Sequence, residues 1–226
     1  MKNLLLLTLA FCVQFTVIAQ KKINQGLIVL ELTDIDADDA EMAGMLSMMK
    51  GGTMETSFSP DMQKTVTNMM GGMVTTQTFV NMKTKEARTF MDMMGNKVMI
   101  KTDANDAASS SLDSDLDIVE TKETKDIKGY KAKKYIIKPK GEADAEFILY
   151  VAESIDMGAI SLGNNMNTTK IKGAPLEMSM KVQGMTMKYT AKSISDTLPK
   201  DAFKEPKGYK EMSMEEFQKS MGNMGF

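Results

Sequence analysis

The groups in this chain that could do chemistry are mostly thioethers. Methionine supplies 25 of the 226 residues, 14 of them between Met42 and Met99. Histidine and tryptophan are absent, and Cys12 is the single cysteine. A thioether sulfur is a neutral, soft ligand, and three or four converging sulfurs would hold Cu(I). Met42/Met45/Met49, Met69/Met70/Met73 and Met91/Met93/Met94 are the clusters available for that purpose. Methionine is also an unbranched, polarizable filler of irregular cores, and methionine-rich surfaces repack around varied apolar partners. The composition therefore admits a filled core, a deformable apolar cavity or a soft-metal site.

Other chemistry is excluded or weakly signalled. Without histidine, and with Cys12 inside an apolar leader, the Ser-His-Asp and Cys-His nucleophile systems cannot be built, nor can thiolate or imidazole zinc sites. No Gly-rich phosphate loop occurs. Ser47-Met48-Met49-Lys50 has the Ser-x-x-Lys spacing of penicillin-recognising acyl enzymes, but the companion Ser-Asp-Asn and Lys-Thr-Gly motifs are missing. Asp34, Asp36 and Asp38 begin like a calcium loop, yet Asp39 stands where the loop needs glycine and Met45 where it needs glutamate. Asp113, Asp115 and Asp117 fail in the same way. Lys122, Lys125, Lys128, Lys131, Lys133 and Lys134 are interrupted by Glu120, Glu123 and Asp126 and read as a solvated strand face.

The elements that must position the methionines follow from periodicity. Gly26 to Leu32 is an apolar strand, covered on both faces. Met42, Met45, Leu46 and Met49 recur at helical spacing behind Asp36 or Asp38 as cap, and Gly51-Gly52 stops that helix. Ser59-Pro60-Asp61, Gly71-Gly72 and Gly95-Asn96 join successive hairpins. A two-residue turn at Gly95-Asn96 sets Met93 opposite Val98 and Met91 opposite Ile100. Residues 102–117 form a flexible acidic loop, followed by strands at Ile118–Lys125, Tyr130–Lys138 and Ala145–Ala152, then an irregular stretch at 154–167. The hairpin Glu177–Val182, Gln183-Gly184, Met185–Ser193 places Met178, Met180, Val182, Met185, Met187, Tyr189 and Ala191 on a dry face. Glu177, Ser179, Lys181, Thr186, Lys188 and Thr190 fall on a wet one. Ser213 and Glu216 form a capping box for a short C-terminal helix, with Met212 and Phe217 as its hydrophobic staple.

The ends and the charge bound the compartment and the partners. Lys2 followed by the apolar run Leu4–Ile18, with Val17-Ile18-Ala19 before the cut, reads as a secretory signal peptide over residues 1–19. Residues 20–226 then form one domain in the periplasm or outside the cell, not integral to a membrane after cleavage. Cys12 lies inside the apolar run, which argues against a lipid anchor there. The formal net charge is −2 and Arg88 is the one arginine. With neither a basic surplus nor bidentate phosphate readers, nucleic acid is not an expected partner.

Four ordered segments carry a resemblance. Thr121-Lys122-Glu123-Thr124-Lys125-Asp126-Ile127-Lys128-Gly129-Tyr130-Lys131-Ala132-Lys133-Lys134-Tyr135 resembles a Lys/Tyr-rich hairpin of the secreted bacterial domain-of-unknown-function family 4412. Phe90 to Lys97, Phe147 to Ile155 and Phe203 to Tyr209 are similar to its other short motifs. Tyr150 stands where that family usually has tryptophan, and Ala132 where it often has cysteine. The resemblance implies an envelope protein with a fold like the lipoprotein-localisation factors, an incomplete β-barrel lidded by helices over an apolar cavity. It implies no activity.

The sequence thus predicts a mainly β (α+β) chain: a single curved antiparallel sheet or incomplete β-barrel, with a helical lid and a short C-terminal helix. The expected function is non-enzymatic, needs no cofactor and has no catalytic or metal residue. An acyl chain, other lipid or lipoprotein would bind in a cavity lined by Met42, Met45, Leu46, Met49, Met91, Met93, Met178, Met180, Met185 and Met187. The alternatives are a thioether Cu(I) protein and a structural envelope component with a filled core.

Overall fold

Alternation of apolar and polar side chains, interrupted by Gly- and Asx-bearing turns, builds most of the described chain from strands. The computed structural model describes residues 22–102, 116–141, 144–158, 160–163, 166–168, 170–182 and 184–222. The expected leader at 1–19 and most of the expected acidic loop lie outside these residues. In chain order the elements are β1 (Gly26–Ala37), α1 (Ala40–Ser47), β2 (Thr53–Phe58), β3 (Met62–Met69), β4 (Val74–Asn81), β5 (Ala87–Met93) and β6 (Asn96–Thr102). There follow β7 (Leu116–Ile127), β8 (Tyr130–Pro139), β9 (Glu146–Ala152), β10 (Ile160–Gly163), β11 (Met166–Thr168), β12 (Ala174–Val182), β13 (Met185–Ser195), β14 (Lys210–Met212) and α2 (Met214–Gly222). A 3-10 turn at Met70–Gly72 links β3 to β4.

Twelve strands form one open sheet in the order β14-β6-β5-β4-β3-β2-β1-β13-β12-β9-β8-β7, and β10 with β11 forms a separate ribbon. The fold is mainly β, a curved open sheet with small helices, as the periodicity predicts. Register shifts in β1 (Val29/Leu30 and Leu32/Asp34), β12 (Pro175/Glu177) and β7 (Glu120/Thr124) supply the bends such a sheet needs. No helix among the described residues is long and apolar enough to cross a membrane.

Several local expectations are corrected. The cap of α1 is Asp39, whose carboxylate accepts the Met42 N–H at 2.8 Å, rather than Asp36 or Asp38, because β1 continues to Ala37. The β5–β6 turn is Met94-Gly95, with φ of 54° and 91°, so Met93 pairs with Asn96 and Met91 with Val98. Asp92 fixes that turn by accepting the Gly95 N–H at 2.9 Å. The slip is two residues, which changes partners but keeps every side chain on its expected face. β7 begins at Leu116, a buried core residue, so Leu116 and Asp117 are strand rather than loop. The stretch expected to be irregular contains the short strand β10 and most of β11. Finally, β14 pairs with β6 in parallel, the exception in a sheet otherwise antiparallel.

Two connections cover the sheet. Define the inner face as the one bearing Leu30, Met178 and Leu149. The segment between β9 and β12 lies on that face, where Ile155, Ile160, Thr168 and Ile171 are fully or almost fully buried. Ile23 is tied to it through the Ser154 carbonyl at 3.0 Å and the Asp156 N–H at 2.8 Å. Gly158, at φ 84°, packs against the Met82 methyl just beyond β4, which a Cβ there would force to shift. On the outer face, residues 196–209 run as a strap from β13 back across β1–β5. Pro199 and Ala202 lie over Leu27 and Ser57, Glu205 meets Arg88 at 2.7 Å, and Tyr209 stacks edge-on against Phe90 at 5.2 Å.

Candidate functional site: the methionine end of the inner face

Burial along the inner face runs from complete at one end to partial at the other, and the partial end is methionine. On β12, Leu176 and Met178 are buried while Met180 and Val182 are half-buried. β1 changes from Ile28, Leu30 and Leu32, all buried, to half-buried Ile35. On β2 the order is Phe58, Thr56, then half-buried Met54. On β13, Ala191 and Tyr189 are buried, and Met187 and Met185 are half-buried. The described residues Ile155, Ile160 and Ile171 of the β9–β12 connection are buried in the core at the first end, and Met54, Met180, Val182 and Met187 pack only partly buried against that core. Met49, just beyond α1, packs partly buried against the same core, and α1 lies against β1.

The structure therefore brings Met178, Met180, Met185 and Met187 together on one face, as the hairpin alternation predicts. Register confirms it, with Met178 opposite Tyr189, Met180 opposite Met187 and Val182 opposite Met185. Met178 belongs to the core at 2% exposure, whereas its expected partners form an open margin. Leu46 is half-buried and Met42 is exposed; the Met45 side chain lies outside the described part. Met91 and Met93 are half-buried on the inner face of β5, four strands beyond β1. Met54, Ile35 and Val182 also belong to this margin. The period-two alternation of β2 carries Met54's signal, since it shares a face with Thr56 and Phe58.

Between β2 and β5 the inner face is paved with threonine. Thr56, Thr65, Thr78 and Thr89 form one cross-strand row, with hydroxyl contacts of 3.2 Å between the first two and 3.3 Å between the last two. The next row toward the methionine end is Met54, Thr67, Thr76, Met91 and Val98. In the first row the hydroxyls are paired with one another, which satisfies part of their polarity on the sheet itself. Tyr189 contributes the one titratable group among these side chains. Burial pushes its phenol up, and its hydroxyl has no hydrogen-bond partner among the described residues. Such a face can hold an apolar group and offers no acid–base pair.

The outer face is of a different kind. Glu177, expected on a wet face, is buried beneath Lys125 at 2.7 Å and Lys188 at 3.4 Å. Glu123 accepts from the Tyr150 hydroxyl and from Lys134 at 2.9 Å. That hydrogen bond to Glu123, helped by burial, pushes the Tyr150 phenol up to about 12, and the same bond draws the Glu123 carboxyl down. The lysine-rich strands are thus an ion-paired surface, as the alternation of charges suggests. Two depressions lie away from the methionine margin. One, of about 210 Å³, sits under the strap beside Leu27, Glu55, Ser57 and Lys64. The other, of about 380 Å³, lies at the sheet edge beside Lys101, Met212 and Glu216. Among the described residues, no cluster of Asp, Glu, His or Cys could hold a metal ion.

No protein-family model matches the chain, and no curated protein sequence matches it. The chain is similar in structure to PNGF-II, solved in the C2 and P21 space groups, at 13% and 14% identity and a TM-score of 0.55 in both cases. The match covers 88% of this chain and 32% or 33% of PNGF-II. The chain therefore spans about a third of that protein's length, and the likeness is one of fold. MucB gives a TM-score of 0.35 at 12% identity, over 81% of this chain and 57% of that one.

Proposed function

We propose that this chain is a non-enzymatic, exported envelope protein that binds an apolar chain or lipidated partner on the open methionine margin of its inner face. The burial gradient carries this reading. A component with a purely structural role would bury Met54, Met180 and Met187 as fully as Leu30 and Leu176. Instead these three are only partly buried against the core, which leaves flexible thioethers half-exposed beside the threonine rows. Supporting the compartment are the apolar leader ending at Ala19 and the resemblance to a secreted bacterial family. An open face of this kind suits a chain lying along the sheet with its polar end in water.

The test is native mass spectrometry of protein purified from an envelope fraction, followed by titration with a fluorescent fatty acid. Co-purifying lipid, or uptake that Met180→Asp and Met187→Asp weaken at least tenfold, is the expected result. A folded wild-type protein with no co-purifying lipid and no uptake would sink the proposal.

A further inference from the structure

Two methionine clusters separated in sequence meet at one end of the sheet. The β3–β4 turn holds Met70 and Met73, and the β5–β6 turn holds Met94. The Met94 N–H donates to the Met73 carbonyl at 3.0 Å, and the Met73 N–H donates to the Met70 carbonyl at 3.4 Å. The three main chains are thereby tied within the combined reach of their side chains, each sulfur standing three bonds from its Cα.

All three are exposed, at 37%, 51% and 84% for Met70, Met73 and Met94, so none is there to fill the core. Two of them also sit in left-handed backbone, at φ 52° for Met70 and 54° for Met94. Asn, Asp or Gly adopts that conformation at lower cost, and turn positions of this kind favour them. Among the described residues the other non-glycine positions at positive φ are Lys85 and Lys128, whose ammonium groups are at home in water. A methionine in such a place loses backbone energy and gains little burial. What it brings is a thioether held out to solvent.

We infer that Met70, Met73 and Met94 form a thioether site for a soft monovalent cation of the Cu(I)/Ag(I) class. Three neutral sulfurs do not repel one another and discriminate against hard cations, which prefer oxygen. Met69 and Met93 flank Val74 in the adjoining cross-strand row and are the nearest source of a fourth sulfur. Met70, Met73 and Met94 stand in the turns beyond those strand rows, and cation binding by the three does not require an apolar ligand on the inner face.

Silver(I) is the probe, because it needs no reductant. With methionine methyl groups labelled by ¹³C, one equivalent of Ag(I) shifts the Met70, Met73 and Met94 signals together and leaves the Met178 signal in place. Replacing all three by leucine lowers Ag(I) affinity at least 100-fold. Because leucine in left-handed backbone can itself disturb the turns, a second measurement uses the wild-type chain. Silver slows peroxide conversion of these three methionines to sulfoxides about tenfold, while Met48, exposed at 62%, oxidises as before. Absence of binding, equal protection of every methionine, or unchanged affinity in the triple variant would each overturn the inference.

Discussion

Glu177 on β12 and Lys125 on β7 form a 2.7 Å ion pair that spans the two strands between them, β8 and β9. The Lys125 ammonium also lies 5.2 Å from the centre of the Tyr150 ring, so the lysine stem runs across the outer face and shields the carboxylate. Glu177 has a second cation in Lys188. Loss of one lysine is therefore buffered, and loss of both strands a buried charge. Lys125→Met alone is expected to cost about 1 kcal/mol, and the double replacement with Lys188→Met about 3–5 kcal/mol. Urea unfolding of the two variants measures the difference; equal costs would show that Glu177 is solvated.

Buried and margin methionines should part company on truncation. Met178, in the core, loses transfer energy and leaves a void, so Met178→Ala should cost about 2–5 kcal/mol. Met185 is half-buried at the open margin, and Met185→Ala should cost under about 1 kcal/mol. Thermal unfolding of both gives the ratio. Comparable losses would mean that the margin is as tightly packed as the core.

Tyr189→Phe removes a buried hydroxyl that has no hydrogen-bond partner among the described residues. Replacing an unsatisfied polar group by an apolar one of the same shape is neutral or stabilising. The variant should melt at or above the wild-type temperature, by calorimetry. A clear drop would reveal a structural water or ligand atom bonded to that oxygen.

Alkaline pH should weaken the fold through its tyrosines. A phenol titrates near 10 in an unfolded chain, and Tyr150 is raised to about 12, first by its bond to Glu123 and then by burial. Tyr135 and Tyr189 are raised as well, mainly by burial. Between those values the unfolded state loses protons that the folded state keeps. The contribution is thus complete below pH 10 and lost as pH climbs toward 12. Stability plotted against pH should fall across that window, and the fall should be shallower in Tyr150→Phe. Tyrosinate absorbance and denaturant unfolding together follow it; an unchanged slope would discount the Glu123–Tyr150 bond.

The strap has an aromatic end that outweighs its ionic one. Arg88 and Glu205 are 44% and 39% exposed, so Arg88→Ala should cost under about 1 kcal/mol. Tyr209 joins the Phe79–Phe90 edge-to-face pair, and such contacts add about 0.5–1.5 kcal/mol beyond burial. Tyr209→Ala should therefore open the strap to limited proteolysis after Lys204 or Lys207 while Arg88→Ala does not. Equal cleavage of both would reverse that ranking.

How much of this was legible in the sequence depended on how local its causes are. The β12–β13 hairpin could be read residue by residue, because period-two alternation and Gln183-Gly184 specify face and register together. The capping box was equally plain: the Ser213 N–H reaches Glu216 at 2.8 Å, and the Ser213 hydroxyl accepts from the Glu216 N–H at 3.1 Å. The β5–β6 turn was misplaced because methionine is an unusual occupant of its left-handed first position. Glu177 looked solvent-facing by parity, but parity says nothing about the lysines and tyrosine that neighbouring strands lay over it. The β9–β12 plug and the strap were illegible for the same reason. Their positions come from contacts far away in sequence, Ile23 with Ile155 and Tyr209 with Phe90. The margin's methionines follow from their alternation; that they are only partly buried follows from tertiary packing that alternation does not encode.

The three-residue strand β14 has a consequence out of proportion to its length. Without it, β6 would end the sheet with seven residues of unpaired backbone, Val98-Met99-Ile100 at their centre, an adhesive template for other chains. Lys210 to Met212 occupies those hydrogen-bonding positions opposite Val98 to Ile100. The far edge, β7, is instead defended by charged side chains and the bulge after Glu120. A protein whose strap has been cut would accordingly keep most of its core and lose its solubility first.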